Sequence, residues 1–401
     1  MTRTGTGTGL TLAAALLACG AASADPEEGA YGSAEAFGEA LFFDVNLSKT
    51  RTQACATCHD PGHAFTDPRP TRAGRAVSLG ADGQSLGDRN APTAAYARFS
   101  PPFGQRADGT YVGGQFHDGR AAGLAEQAAG PPLNPIEMGL ADVEEAAARI
   151  LENPRYDATL SALYGAATPG DPEAVFRAAT SAIAAFEGTD SFAPFDSKYD
   201  RYLRGEAQLT DEEELGRILF FSQQFTNCNL CHQLRKSAIA ADETFTDYIY
   251  HNIGVPANTA ARAVNGAAGP DLGLLANPAV EDPAAAGKFK VPTLRNVAVT
   301  GPYMHNGVFE DLRTVILFYN KYNSKAAARQ IDPETGEAWA APEVPGTLSM
   351  DKLTTGPALD DERIDALVAF LETLTDSRYE YLLDRDTASA RAGGTDTDTD
   401  R

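Results

Sequence analysis

Two copies of one five-residue pattern, Cys-x-x-Cys-His, constrain this chain more than any other feature of its sequence. The pattern attaches a c-type haem, because its two thiols bond to the porphyrin and the adjacent histidine ligates the iron. Paired thiols also occur in redox-active and zinc-binding motifs, but neither alternative needs a histidine after both second cysteines. We therefore predict two covalently bound c-type haems. Their attachment residues are Cys55, Cys58, His59, Cys228, Cys231 and His232, with His59 and His232 as iron ligands.

The first 24 residues have the pattern of an export signal. The apolar stretch 10–18 is too short to span a bilayer, and a small-residue cleavage site ends at Ala24. Residues 16–19 also match a lipoprotein cleavage box, in which Cys19 would carry a lipid anchor. Cleavage after Ala24 is the favoured route, and both routes place the protein in the periplasm.

The chain is acidic, with a formal net charge of −22 at pH 7. Such a surface argues against nucleic acid and anionic membranes as partners, whereas a basic or small protein partner is compatible with it. The Thr-Asp repeat at 395–400 is low in complexity, so we expect a disordered acidic tail over 386–401.

A weak internal repeat divides the chain into two halves. The pattern Gly-x-x-Leu-Phe-Phe occurs at 38–43, before the first haem motif, and at 216–221, before the second. Each copy indicates a short helix with one apolar face. Further helical patterns occupy 142–153, 172–187, 311–322 and 360–374. We predict a mostly α fold of two packed cytochrome c-type domains, 25–190 and 205–385, each with one haem.

Four longer segments carry a resemblance to a known family: 87–93, 117–138, 289–296 and 300–307. On these segments the chain resembles the bacterial dihaem cytochrome c peroxidase / MauG family along nearly all of its mature sequence. Within that family it resembles MbnH-like members most, which are MauG-like enzymes that oxidise a tryptophan of a partner protein. The resemblance implies a peroxide-dependent oxidoreductase.

The resemblance assigns two residues to the distal side of the first haem. Glu137 would act as general acid and base between the peroxide oxygens, and Gln127 would hydrogen-bond in the same pocket. Burial beside haem would raise the pKa of Glu137. The peroxidases carry a blocking histidine in the loop after the first haem motif, but residues 64–116 contain no histidine or methionine. We therefore expect an open iron site, with His63 as an exposed loop residue.

The resemblance also implies a distal ligand for the second haem. The peroxidases have a methionine fourteen residues after the histidine that is His305 here, whereas this chain has Tyr319 at that place, as MauG has a tyrosine. A methionine ligand raises the haem potential, and a phenolate favours oxidised iron. Helical periodicity alone would make Tyr319 a core aromatic residue. Met304 and Met350 are the alternative ligands.

Family members hold a calcium ion between the domains through one asparagine side chain and two backbone carbonyls. These positions correspond to Asn90, Thr300 and Pro302 here, and their oxygens suit calcium. Family members also have a tryptophan where this chain has His117, so we expect coupling between the haems by tunnelling or through a tyrosine such as Tyr303. We expect no role in a site for three further residues, which are His251, His305 and the only tryptophan, Trp339.

The sequence is compatible with three functions. The leading hypothesis is an enzyme that uses hydrogen peroxide to form high-valent haem iron and to oxidise a residue, by resemblance tryptophan, of a partner protein. The second is a cytochrome c peroxidase that draws electrons from a small redox protein. The third is a dihaem electron carrier without catalysis. Tyr319 and the open first site favour the first hypothesis, and Glu137 and Gln127 argue against the third.

Overall fold

The computed structural model describes residues 1–2, 29–235 and 237–383. The predicted export signal beyond its first two residues, Cys19 and the acidic tail lie outside these ranges. Twelve α-helices occur in the described chain: α1 Ala34–Phe42, α2 Cys55–Cys58, α3 Leu124–Leu133, α4 Val143–Leu151, α5 Pro154–Tyr164, α6 Pro172–Glu187, α7 Lys198–Leu203, α8 Asp211–Phe221, α9 Thr259–Asn265, α10 Leu312–Asn320, α11 Met350–Leu353 and α12 Asp361–Glu372. None of them is long and apolar enough to cross a membrane.

The strands are short. The described ranges contain two antiparallel pairs of two-residue strands, β1 Gly104–Gln105 with β2 Tyr111–Val112, and β3 Tyr250–His251 with β4 Phe289–Lys290. In the second pair Tyr250 lies opposite Lys290 and His251 opposite Phe289. This agrees with the absence of sustained strand alternation in the sequence.

All six helices that the sequence predicts are present, and their ends follow capping chemistry. A capping box opens α8, where the backbone N–H of Glu213 donates to Thr210 Oγ1 at 3.2 Å and that of Thr210 donates to Glu213 Oε2 at 2.7 Å. Asp171 caps α6 through its carboxylate, and Pro172 follows at the first helical position. The other six helices, α2, α3, α5, α7, α9 and α11, are not among those that the sequence patterns predict.

The repeated glycines are contact points between helices. A methyl group on Gly38 of α1 would collide with the backbone carbonyl of Ala182 in α6. A methyl group on Gly216 of α8 would collide in the same way with the carbonyl of Ala366 in α12. Each half of the chain is therefore built on one close helix crossing, which only glycine permits.

Each crossing lies in its own apolar core. The first core draws its buried residues from positions 37–193, and the second draws them from 199–374. Contacts also join the halves: Arg89, which pairs with Asp118 in its own half, forms a second ion pair with Asp271 of the other half, and Tyr379 packs with Ala64. The haem motifs lie beside these cores, so the cores and the contacts between the halves together position the candidate sites.

Candidate haem sites

The first Cys-x-x-Cys pair lies on a single helical turn. Thr57 Oγ1 accepts a 2.9 Å hydrogen bond from the backbone N–H of Ala54 and so holds the start of α2. Burial raises the pKa of Cys55 to about 12 and that of Cys58 to about 11, and neither forms a disulfide with another described cysteine. Reactive or metal-binding thiols need surroundings that lower the pKa. The surroundings of this pair instead suit uncharged sulfur, as in a thioether.

Both candidate iron-ligating histidines are oriented by a carbonyl. His59 Nδ1 lies 3.0 Å from Phe65 O, and His232 Nδ1 lies 3.2 Å from Phe245 O. Each phenylalanine has a φ of 55°, a conformation that bulky residues rarely adopt. A carbonyl at Nδ1 places the proton there and leaves Nε2 with its lone pair. Burial lowers the pKa of both imidazoles, that of His232 to about 4, so both are neutral as metal ligands must be.

The structure places Glu137 toward the first haem motif. Burial raises the pKa of its carboxyl, and its charge in turn raises the pKa of Cys58. Arg120 opposes this shift in Glu137 and keeps the carboxylate form accessible. Gln127 projects from α3, and its side-chain amide has no hydrogen-bond partner among the described residues. His63 is half-exposed and pairs with Asp60 at 2.8 Å.

Tyr319 faces the second haem motif. Burial raises the pKa of its phenol, and the thiols of Cys231 and Cys228 raise it further. Within the described part of the chain nothing hydrogen-bonds to the Tyr319 hydroxyl, which is thus free to ligate. The alternatives fit less well, since Met304 packs in an apolar cluster with Phe309 and Met350 is 41% exposed.

Asn90, one of the residues expected to bind calcium, contacts the segment of the second half that carries the other two, Thr300 and Pro302. The backbone N–H of Asn90 donates to His305 O at 2.8 Å, three residues from Pro302. Asn90 Nδ2 donates to Ala76 O, which leaves Oδ1 without a donor in the described chain. The carbonyls of Thr300 and Pro302 likewise accept no hydrogen bond from described residues. Three free oxygens are therefore available there.

The histidines beside this contact are neutral. His117 Nε2 lies 3.0 Å from Asn90 O, and burial lowers the pKa of His117 to about 4. His305 stacks on Phe289 with ring centroids 3.6 Å apart, and burial lowers its pKa to about 3. Trp339 packs edge-on against Phe318, the neighbour of the candidate ligand Tyr319.

Sequence reasoning missed three groups near the haem motifs. Glu187, at the end of α6, is 6% exposed, and burial raises its pKa to about 8. It lies close enough to the first haem motif that its charge contributes to the raised pKa of Cys55. Ligating atoms of Asp247, His251 and Cys231 lie within 4.8 Å of one another. His251 therefore lies beside the second haem motif, although the sequence offered it no site role. Large sequence separations hid these contacts.

The chain is similar to known dihaem proteins. A family model described as di-haem cytochrome c peroxidase matches residues 33–208. The methylamine utilization protein MauG of Paracoccus denitrificans is 54% identical over 379 residues, which are 94% of this chain and 97% of MauG. The crystal structure of the diheme peroxidase BthA from Burkholderia thailandensis has a TM-score of 0.77 and 34% identity, over 87% of each chain. A MauG-like protein associated with microbial copper homeostasis has a TM-score of 0.63 and 30% identity, over 87% of this chain and 93% of its own.

The chain belongs to the di-haem cytochrome c peroxidase family. It is a MauG-like peroxidase-type oxidoreductase, and the family implies two c-type haems. The predicted fold class and enzyme class are thereby confirmed, and the non-catalytic carrier is set aside. The chain is 54% identical to Paracoccus MauG and 30% identical to the copper-associated MauG-like protein. The sequence motifs therefore identified the family, and these identities place the chain nearer to Paracoccus MauG than to the copper-associated protein.

Proposed function

We propose that this enzyme uses hydrogen peroxide to oxidise a tryptophan of a partner protein in the periplasm. The observation that carries the proposal is the Tyr319 phenol, which faces Cys228 and Cys231 and has no hydrogen-bond partner among described residues. The name of the Paracoccus relative refers to methylamine utilization, and we infer a partner protein from the same process here. We also propose that the peroxide site belongs to a domain formed by residues 25–190 and the tyrosine site to a domain formed by residues 205–385.

The haems, when bound at His59 and His232, supply the redox chemistry by accepting the oxidising equivalents of peroxide. The chain's own residues move the proton. The Glu137 carboxylate takes a proton from one peroxide oxygen and returns it to the other, so that water can leave. The raised pKa of Glu137 supports this role, because a carboxylate with a raised pKa is a stronger proton acceptor than that of an ordinary glutamate. Gln127 orients the peroxide through its free amide.

Tyr319 distinguishes this proposal from the cytochrome c peroxidase alternative. A methionine ligand favours reduced iron that stores an electron from a donor, whereas a phenolate ligand stabilises the oxidised form. The second site would then share oxidising equivalents without being reduced first. We also propose a calcium ion on Asn90 Oδ1 and the carbonyls of Thr300 and Pro302, with water completing its shell.

The test compares wild type with Tyr319→Met. Peroxide is added to the fully ferric holoprotein, and the haem absorbance and both haem potentials are measured. We expect wild type to react without prior reduction, and Tyr319→Met to have a higher potential at the second haem. Tyr322→Phe is the matched control, since that nearby phenol donates to Ile253 O at 2.9 Å instead. A ferric wild type that is inert until one electron is added would favour the cytochrome c peroxidase alternative.

A further inference from the structure

A buried hydrogen bond between a phenol and a carboxylate joins the two halves of the chain. The Tyr96 hydroxyl donates to Asp376 Oδ1 at 2.6 Å, across 280 positions of sequence. Tyr96 is 1% exposed and Asp376 is fully buried. The second carboxylate oxygen, Oδ2, accepts from Asn296 Nδ2 at 2.8 Å. A carboxylate so placed can take the phenolic proton when the phenol loses an electron.

The pair is connected to the first candidate haem site. Phe65 O, the acceptor beside His59 Nδ1, also accepts the backbone N–H of Ala94 at 3.2 Å. Ala94 lies two residues before Tyr96. The Tyr96 ring is thus held on the chain segment that helps to orient the first proximal histidine.

The pair is also connected to the second site. Arg295 is fully buried, and its guanidinium carbon lies 5.4 Å from the centroid of the Tyr96 ring and 5.3 Å from that of Phe245. Phe245 O is the acceptor beside His232 Nδ1. Asp200 neutralises Arg295 through a 2.6 Å ion pair. Tyr96 is therefore connected through its own chain segment to Phe65 and through Arg295 to Phe245, the two residues whose carbonyls orient the proximal histidines.

We propose that Tyr96, with Asp376 as its proton acceptor, relays electrons between the two haem sites on their proximal sides. The relay rests on the proposed function, because peroxide supplies the oxidising equivalents. The phenol gives one electron to the oxidised site and its proton to Asp376 Oδ1, which leaves a neutral tyrosyl radical and a neutral carboxylic acid. An electron from the other site then reduces the radical, and the proton returns from Asp376. One electron moves between the sites, and no proton is released.

Burial supports this assignment of the proton. It raises the pKa of Tyr96, so the phenol holds its proton at rest, and it raises the pKa of Asp376, so the carboxylate is a better acceptor than an exposed one. His117, which is hydrogen-bonded to a carbonyl and hard to oxidise, offers no comparable pair.

The test follows oxidation from the first to the second haem by stopped-flow absorbance and freeze-quench EPR, after peroxide is mixed with the holoprotein in H2O and D2O. We expect Tyr96→Phe to slow transfer between the haems by about tenfold or more and to abolish its solvent isotope effect. The initial reaction of the first haem should stay unchanged. Tyr199→Phe is the matched control, because that fully buried phenol donates to a carbonyl, Ala238 O, at 2.6 Å.

A second variant separates the relay from a structural role. Replacement of Tyr96 by 2,3-difluorotyrosine keeps the packing, makes the phenol more acidic, and adds fluorine splitting to the EPR signal of any radical on it. A changed transfer rate with that splitting supports the relay. A transfer rate in Tyr96→Phe within twofold of wild type, with the isotope effect retained, overturns the relay and leaves the proposed function intact. A first haem that does not react with peroxide overturns both.

Discussion

Glu137 and Glu187 show at the residue scale how burial sets the chemistry of a carboxyl. Both lie near the first haem motif, and in both burial is the largest cause of a raised pKa. Arg120 favours the charged form of Glu137, whereas among the residues that the structure describes no cation contributes to the pKa of Glu187. The first therefore suits proton transfer during turnover, and the second suits a neutral acid held in the interior.

Glu137→Gln should slow the reaction with peroxide by roughly 10²–10⁴-fold, the usual contribution of general acid and base catalysis, with both haems still attached. Stopped-flow mixing at the haem absorbance measures the rate. Glu144→Gln, an exposed change on α4, is the control and should react as wild type does. A rate within a few-fold of wild type in Glu137→Gln would remove this carboxyl from the mechanism.

The wild-type rate should also depend on pH. The basic form of Glu137 is lost as pH falls through its pKa, and burial raises that pKa. The rate should therefore drop on acidification with a midpoint above that of an ordinary glutamate, and Glu137→Gln should lack this drop. A pH–rate profile of both proteins measures it. Identical profiles would contradict the assignment.

Glu187→Gln should change how stability depends on pH. Burial raises the pKa of Glu187 from 4.5 to about 8, so the folded state holds a proton that the unfolded state releases. The stability due to this group is present below about pH 4.5 and is lost as pH rises through about 8. The free energy of unfolding, measured with denaturant, should therefore be compared between the two proteins at pH 5 and at pH 9. From pH 5 to pH 9 the difference should shift in favour of Glu187→Gln by up to about 5 kcal/mol. Glu173→Gln, exposed on the same helix, should show no such difference, and a flat comparison for Glu187→Gln would refute the expectation.

At the scale of elements, the molecule depends on two close helix crossings. Helix α1 meets α6 at Gly38, and α8 meets α12 at Gly216, in both cases against a backbone carbonyl that cannot move aside independently of its helix. The haem motifs follow these helices in sequence, and Cys55 and Cys228 pack against the same two cores as the crossings. A change at either glycine should therefore act on both stability and haem position.

Gly216→Ala should destabilise the protein by about 1–3 kcal/mol or more, because an added methyl overpacks the contact with Ala366. The overpacking cost itself is larger than this net loss by the roughly 1 kcal/mol that alanine gains over glycine in a helix, because the methyl meets a backbone carbonyl that cannot turn aside. Thermal unfolding of the holoprotein measures the change. Gly170→Ala is the control, since a methyl there meets nothing within 4 Å. A Gly216→Ala protein as stable as wild type would show that the helices separate without cost.

At the scale of the whole molecule, the contacts between the halves decide whether the two sites act together. The Arg89–Asp271 ion pair, the Tyr96–Asp376 hydrogen bond and the Asn90 N–H to His305 O hydrogen bond each join a residue of the first half to a residue of the second. A cation at the proposed calcium site would hold the halves at a fixed separation. Its removal should therefore affect both haems at once.

Chelation of calcium should lower the melting temperature and alter the optical spectrum of the ferric protein, and added calcium should restore both. Magnesium should not restore them, because it demands a smaller, octahedral shell. Asn90→Ala should reproduce the chelated state, since it removes the one side-chain oxygen. Elemental analysis that finds no calcium in the untreated protein, with no response to chelator, would exclude the site.

The sequence by itself determined the local features of this protein. The haem motifs, the six predicted helices and the Thr210–Glu213 capping box each depend on residues a few positions apart, where spacing alone decides which atoms meet. Family membership also followed from contiguous motifs. Other features needed the fold. The sequence around the repeated glycines indicates only an apolar helix. The structure adds the backbone carbonyl that lies opposite each glycine.

Only the tertiary structure decided which distant groups share one environment. Tyr96 and Asp376 are 280 positions apart, and nothing in either local sequence indicates a partner. Glu187 lies in an ordinary amphipathic helix, yet packing around it raises its pKa to about 8. His251 came to lie beside Cys231 in the same way. Local patterns specify backbone hydrogen bonds, whereas burial and charge pairing depend on the packing of elements that are remote in sequence, and these set the chemistry of the sites.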